Sequence, residues 1–268
     1  KRGDLFRSLS VQITANGLLA IGVSVALSKS FMVGMESTGW AVLAAVIGLS
    51  VFWFGVAVFE RVYGIVSDWT LLELCSPDNP LLSDLNRQAP GTYAHSIGVG
   101  SLSEAAAREI GANSVLCRAM AYYHDIGKIA RPSYFLENQS GENAHDSMPA
   151  SLSAKVISAH VKDGIELAKK ARLPQVIIDG IEQHHGTSLI SYFYQRALNE
   201  PAAGEVDPAK FRYDGPKPQS AEAGILHLAD MVEAASRTVS TKEGLDKVVI
   251  GLIDATIADG QLDECALT

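Results

Sequence analysis

The sequence predicts an all-α protein: a helical bundle preceded by two N-terminal transmembrane helices. Three observations carry this. Apolar residues recur at a spacing of about 3.6 from residue 80 onward, with no convincing alternating strand. Two long charge-free runs open the chain, Ser8 to Ser28 and Thr38 to Phe59. Hydrophobic residues make up 47% of the 268, enough for a core, but they are concentrated in the first sixty.

Each charge-free run is long enough to cross a bilayer as a helix, which takes about 20 apolar residues. The second, with Trp40, Phe52, Trp53, Phe54 and Phe59, is the stronger; the first carries Gln12, Thr14 and Asn16. Two buried core helices are the soluble alternative, but both runs exceed the usual length of such helices. No small-residue cleavage pattern marks a signal peptide. Lys1, Arg2 and Arg7 precede the first run and Arg61 follows the second, while the connection near Lys29 to Ser37 has Lys29 against Glu36. The positive-inside rule then puts both flanks, and everything after residue 60, in the cytoplasm of a multi-pass protein of the cell membrane. The expected division is a membrane segment over 1–66, with spans at 8–28 and 38–59, and a cytoplasmic domain over 67–268. Cys75, Cys117 and Cys265 are odd in number and widely spaced, which suits a reducing compartment and forms no zinc pattern. The net charge of −8 offers no basic face for a DNA or RNA duplex. A chain opening on Lys1 rather than Met is expected to be a piece of a longer one.

Arg61 to Leu74 reads as an amphipathic helix, broken by Ser76-Pro77-Asp78-Asn79-Pro80. Thr92 is the expected cap of a helix through His95 to Ile110, stopped by Gly111. Asn113 caps the next, which carries His124-Asp125. Arg131 to Pro149 reads as a long functional loop. Ser151–Ala159 and Asp163–Ala171 read as two helices separated at His160. Pro174 opens a helix ending at His184-His185-Gly186. Ser188–Asn199 is helical, Glu200–Pro218 is a loop with four prolines, and Ala221–Val239 and Lys242–Ala258 complete about eight helices.

The chemistry centres on Ala121-Tyr122-Tyr123-His124-Asp125-Ile126-Gly127-Lys128. An imidazole beside a carboxylate makes a compact pair of metal ligands, and Lys128 adds a cation one turn away. Five of the seven histidines, His95, His124, His160, His184 and His185, join Asp125 and Asp230, each on or at the end of a predicted helix. Helical domains build metal sites in this way. Seven candidates are too many for one ion and suit two sharing Asp125, about 3.5–4 Å apart. His95, His124 and Asp230 are assigned to one ion, and His160, His184 and His185 to the other. A hydroxide between them would be the nucleophile, since metal binding lowers the pKa of water. Neutral imidazoles and carboxylates suit iron, manganese or zinc, with iron or manganese expected first, and the absence of cysteine ligands argues against a structural zinc. His227, one turn before Asp230, reads as a partner that orients a ligand or as core; His145-Asp146 reads as a loop feature.

His95, His124-Asp125, Ile126-Gly127-Lys128 and Asp230 together resemble the HD superfamily of metal-dependent phosphohydrolases, and His160 with His184-His185 resembles its two-metal members. Leu71-Leu72-Glu73-Leu74, Ala89-Pro90-Gly91-Thr92-Tyr93, Glu137-Asn138-Gln139, His160-Val161-Lys162-Asp163-Gly164 and His184-His185-Gly186-Thr187 resemble the membrane-anchored, seven-span HD proteins of the PgpH-type cyclic-di-AMP phosphodiesterase family. That resemblance runs from about residue 60 to 260. It implies an HD-domain helical bundle that hydrolyses cyclic-di-AMP to pApA. Under it, Asp125 and Lys128 are the expected catalytic residues. Arg131, Tyr134, Asn138 and Gln139 are expected at the cyclic dinucleotide, Tyr134 or Phe135 stacking on a base and Asn138 or Gln139 reading its edge. Tyr192 and Tyr194 are weaker stacking candidates. The alternatives are an HD enzyme for cyclic-di-GMP or a mononucleotide, or a catalytically silent nucleotide-binding module. The cyclic-di-GMP branch usually carries a Gly-Tyr-Pro signature, which this sequence lacks. Single-metal nucleotidases would not need His160, His184 and His185.

Overall fold

The structure is a computed structural model that describes residues 2–28, 31–200, 205–237 and 239–267. Two compact units divide it, Lys1–Ser67 and Asp68–Thr268. In the first, α1 (Arg2–Ser28) and α2 (Phe31–Tyr63) pack side by side. Gly17 of α1 is buried, and its carbonyl accepts the Thr38 hydroxyl of α2 at 3.4 Å. Among the described residues one stretch, Met35–Val56 of α2, is long and apolar enough to cross a membrane. The apolar part of α1 is shorter, Ile13–Leu27, because Gln12, Thr14 and Asn16 dilute its first half. Lys1 and Lys29, and the side chains of Arg2, Arg7 and Arg61, on which the orientation reading rests, lie outside the described residues. The expected helix over Arg61–Leu74 is two pieces: α2 runs on to Tyr63, and α3 (Asp68–Leu74) begins after a break. Gly64, at φ +63°, takes the left-handed conformation that ends a helix.

The second unit holds nine α-helices among the described residues, with short 3₁₀ turns between them and an isolated bridge between Leu189 and Arg212. They are α3, α4 (Pro80–Gln88), α5 (Pro90–Ile110), α6 (Ser114–Tyr123), α7 (Ala150–Lys170), α8 (Gln175–Gln183), α9 (Ser191–Leu198), α10 (Ala221–Ser236) and α11 (Lys242–Ala258). α5 packs on α6 and α10, and α8 packs on α6 and α7. Val99, Cys117, Met120, Ile177, Ile181 and Leu226 fill the space between them. The start and stop signals work as polar chemistry requires. Asn113 accepts the Leu116 N–H at 2.9 Å, Ser220 and Thr241 cap α10 and α11, and Gly111 ends α5 at φ +75°.

Three local expectations are corrected. α5 begins at Pro90, with proline at its first position and no capping side chain from Ala89. Thr92 lies inside the helix, and the cap is supplied by a remote residue. Asn138 Oδ1 accepts the N–H groups of Gly91 at 2.9 Å and Thr92 at 3.2 Å. α7 runs unbroken through His160, because no proline interrupts it and the one glycine, Gly164, is needed for packing. α9 starts at Ser191 rather than Ser188, because Ser188 and Ile190 pair with residues 211–213: Ile190 N–H donates to Phe211 O at 2.7 Å and Tyr213 N–H to Ser188 O at 3.1 Å. That pairing brings Tyr213 beside His185, where the rings stack at 4.1 Å.

The tightest packing lies just after the His-Asp pair. The 3₁₀ turn Ile126–Ala130 presses its backbone onto α7, so a Cβ on Gly127 would stand 1.8 Å from the His160 carbonyl oxygen and 2.5 Å from the Gly164 nitrogen. Backbone cannot swing aside as a side chain can. Gly127→Ala is therefore expected to destabilise the domain by about 3 kcal/mol or more, measured by denaturant unfolding against the parent chain. An unchanged midpoint would show that the turn does not sit against α7.

Candidate metal centre

Five elements deliver the histidine and aspartate side chains to one place. His95 comes from α5, His124 and Asp125 from just beyond α6, His160 from the middle of α7, His184 and His185 from just beyond α8, and Asp230 from α10. The Asp125 carboxylate is 2% exposed and faces two ways. Its Oδ2 lies 3.2 Å from His124 Nε2 and 3.7 Å from His95 Nε2. Its Oδ1 lies 3.2 Å from His160 Nε2 and 3.7 Å from His184 Nε2. Asp230 reaches across the same space, with Oδ1 2.9 Å from His95 Nε2 and Oδ2 3.6 Å from His185 Nδ1. Three overlapping ligand groups result: Asp125, His160, His184 and His185; His95, His124 and Asp125; and His124, His184 and Asp230.

The backbone sets how these rings are protonated. His124, His160 and His184 each point Nδ1 at the carbonyl three residues earlier: Ala121 at 2.7 Å, Ile157 at 2.6 Å and Ile181 at 2.7 Å. A carbonyl only accepts, so each Nδ1 carries a proton and, in the neutral ring, each Nε2 offers a lone pair. The Nε2 atoms of His160 and His184 then face each other at 3.2 Å. His124 Nε2 and Asp125 Oδ1 are buried without a hydrogen-bond partner among the described residues. Crowded lone pairs and an orphaned carboxylate oxygen fit a divalent cation and little else. His95 Nδ1 is held at 2.5 Å by Glu233 Oε2, the carboxylate–imidazole arrangement that orients many metal ligands. His227 donates from Nδ1 to the His184 carbonyl at 2.7 Å, so it holds that turn without joining the ligand cluster.

Charge follows from burial and neighbours. Burial pushes His184 down to about 3, helped by His124 and His160, and lowers His160 and His185 as well. Burial also works against charge on His124, but Asp125 and Asp230 outweigh it and push that ring up to about 10. His95 is raised for the same reason, chiefly by Asp230 against burial. Burial would raise Asp125, yet Lys128 and His124 hold it well below the usual carboxylate range. Lys128 Nζ sits 2.8 Å from Asp125 Oδ2 and 2.8 Å from Glu137 Oε1, and those anions overcome burial and raise its pKa.

The cluster opens on a cavity of about 360 Å³. His95, Asp125, Lys128, His160, His185 and Asp230 line it, so most of the residues singled out in the sequence meet there, with His124 and His184 buried behind them. The four residues expected at the substrate are not among its lining. Arg131 pairs with Asp163. The Tyr134 carbonyl accepts His145 Nε2 at 2.8 Å, and its ring meets His145 edge-on. Asn138 caps α5, and Gln139 donates to Ser133 O and Asn143 Oδ1 within its own loop. The long 131–149 segment is thus a run of pinned turns, tied down further by Arg196 at the carbonyls of His145 and Met148. Tyr194 packs on Phe211, and Tyr192 is an exposed surface ring. Phe135, the other stacking candidate, does line the cavity, and the lining adds Leu136, Glu137, Tyr213, Glu233 and Arg237. A signal for the last two was present: Asp230, Glu233, Ala234 and Arg237 fall at i, i+3, i+4 and i+7, one stripe of a helix. Nothing in the sequence marked Tyr213, which reaches the centre through the turn after Phe211.

An all-α bundle that gathers five imidazoles and two carboxylates at one place has the donor set of a helical metal site. The chain belongs to the HD domain family, matched over residues 92–235. It is 43% identical over 263 residues to the cyclic-di-AMP phosphodiesterase PgpH of Bacillus subtilis (strain 168), covering 97% of this chain and 35% of that protein. The PgpH of Listeria monocytogenes serotype 1/2a (strain 10403S) gives the same identity and coverage. A crystal structure of the L. monocytogenes PgpH HD domain in complex with cyclic-di-AMP superposes with a TM-score of 0.69 at 45% identity, covering 72% of this chain and 91% of that one. The chain spans about a third of the length of the curated relatives it matches.

Two outcomes follow from this geometry. A cation needs the Nε2 lone pair of His124, which is protonated up to about pH 10, and that of the raised His95. Metal uptake near neutral pH should therefore release protons and tighten as pH rises toward 10; calorimetry of Mn²⁺ binding in buffers of different ionisation heat detects them, and none released would contradict it. Asn138→Ala should cost about 1 kcal/mol through the lost α5 cap, read from unfolding, with the metal affinity little changed.

Proposed function

We propose that the chain is the membrane-anchored catalytic part of a phosphodiesterase that hydrolyses cyclic-di-AMP to the linear dinucleotide pApA. One observation carries the reading: the two oxygens of Asp125 face two separate imidazole groups at the inner end of a single cavity. The identity to PgpH proteins, and the cyclic-di-AMP complex of one of them, support the substrate.

His95, His124 and Asp230 would hold one cation and His160, His184 and His185 the other, with Asp125 shared. The all-nitrogen-and-oxygen donor set suits iron or manganese. When bound, such a pair lowers the pKa of water and offsets charge on a phosphodiester. The chain's own residues do the rest. Glu233 and the Ala121, Ile157 and Ile181 carbonyls fix the ring orientations. Lys128 holds Asp125 ionised and keeps a positive charge on the cavity wall where an anionic substrate arrives. Tyr213 and Phe135 give that wall aromatic surface against which a sugar or base can exclude water.

The N-terminal unit anchors the enzyme. α2 crosses the bilayer over Met35–Val56, leaving Trp40, Phe52 and Phe54 exposed to lipid. α1 is the second span, since its run from Ser8 to Ser28 carries no charge and matches the length that a bilayer core demands. The basic flanks place the helical domain on the cytoplasmic side of the cell membrane.

The whole chain in detergent, loaded with Mn²⁺ or Fe²⁺, should hydrolyse cyclic-di-AMP faster than cyclic-di-GMP or a linear dinucleotide. Asp125→Ala should lower kcat by at least about a hundredfold and reduce bound metal measured by elemental analysis. Full turnover in that variant would refute the shared-carboxylate assignment.

A further inference from the structure

The cavity has two basic side chains in its lining, Lys128 and Arg237. They are not equivalent. Lys128 is committed on both sides, to Asp125 and Glu137, and only 13% of its side chain is exposed. Arg237 stands at the other side chain-rich wall, on the last turn beyond α10, with 45% of its side chain exposed. Glu233 grips it through Nε at 3.1 Å and Nη2 at 2.6 Å, and Nη1 has no protein partner among the described residues. The same Glu233 carboxylate holds His95 Nδ1 with its other oxygen. The guanidinium is therefore fixed in place, two hydrogen bonds from the ring that faces Asp125 and Asp230, with donors left to spare.

A cyclic dinucleotide carries two phosphodiesters, and a metal pair engages one. The second is an anion that must enter the same cavity, whose walls hold Asp125, Glu137, Asp230 and Glu233. An unmatched phosphate there is repelled. We infer that Arg237 is the subsite for the second, non-reacting phosphodiester of a cyclic dinucleotide, preoriented by Glu233. The guanidinium fork suits a phosphate better than an ammonium does, because it presents parallel donors in one plane. Its anchoring to Glu233 means little conformational freedom is lost when the substrate arrives. The inference rests on the phosphodiesterase reading above and deepens it: the subsite would favour substrates with two phosphates at a fixed separation.

The test compares two substrates on the whole chain in detergent with Mn²⁺. Cyclic-di-AMP has a second phosphodiester; bis(p-nitrophenyl) phosphate has only the one that is cleaved. Arg237→Ala should raise KM for cyclic-di-AMP by about 10- to 100-fold, the worth of a charge-assisted hydrogen bond, and leave kcat/KM for bis(p-nitrophenyl) phosphate and the bound metal unchanged. Arg237→Lys should recover part of the loss. If both substrates lose in parallel and bound metal falls, Arg237 acts through Glu233 on His95 and the subsite is wrong, while the phosphodiesterase reading stands. If neither substrate is affected, the subsite is equally wrong. A parent chain that cleaves bis(p-nitrophenyl) phosphate but neither cleaves nor binds cyclic-di-AMP overturns the substrate and the subsite together.

Discussion

The Asp125 carboxylate, buried to 2% exposure between two groups of imidazoles, sets the terms for the rest of the helical unit. An isolated charge at that depth is prohibitively costly, so it has to be met by positive partners. Lys128 meets one side and then needs its own anion, which Glu137 supplies. Glu137 is held in turn by the Thr92 hydroxyl at 2.9 Å, and its neighbour Asn138 caps the first turn of the helix that brings in His95. The chain of contacts thus closes on itself: the loop that neutralises Lys128 also fixes the start of α5. A bundle assembled from apolar contacts alone would have no reason to tie these segments together.

Much of this was legible before any coordinates. The helical period, the glycine and asparagine punctuation and the bounds of α11 follow from rules that act within a few residues, and the structure agrees with them. The His and Asp set stood out because residue type and order alone mark ligand chemistry. The cavity wall was not legible in the same way. In the segment from Arg131 to Gln139 successive short turns send neighbouring side chains in different directions, so Phe135, Leu136 and Glu137 reach the cavity while Arg131, Tyr134, Asn138 and Gln139 do not. Asn138 has the donors and acceptor to read a base, but two backbone N–H groups at an uncapped helix start took its carbonyl first. The break expected at His160 does not form, and the interior of α7 presents that ring to its neighbours as well as a helix end would. Tyr213 depended on a pairing between residues 188–190 and 211–213 that no local rule announces.

Glycine plays its part through absence of bulk. Gly127 and Gly164 meet where the turn after Asp125 crosses α7, and that contact sets how close His160 can come to the carboxylate. The separation between the two imidazole groups is therefore written into backbone contact, which is stiffer than any arrangement of side chains.

Where α6 and α8 stop carries a further consequence. Each helix ends one residue before an imidazole, and the carbonyls of its final turn, Ala121 and Ile181, bind the Nδ1 protons of His124 and His184. Both helices thus turn their partially negative macrodipole ends toward the ligand cluster. Anion-binding sites on helical proteins are commonly built on the opposite pole. An anion at this centre would meet two helix termini of its own sign, whereas a cation would be favoured there.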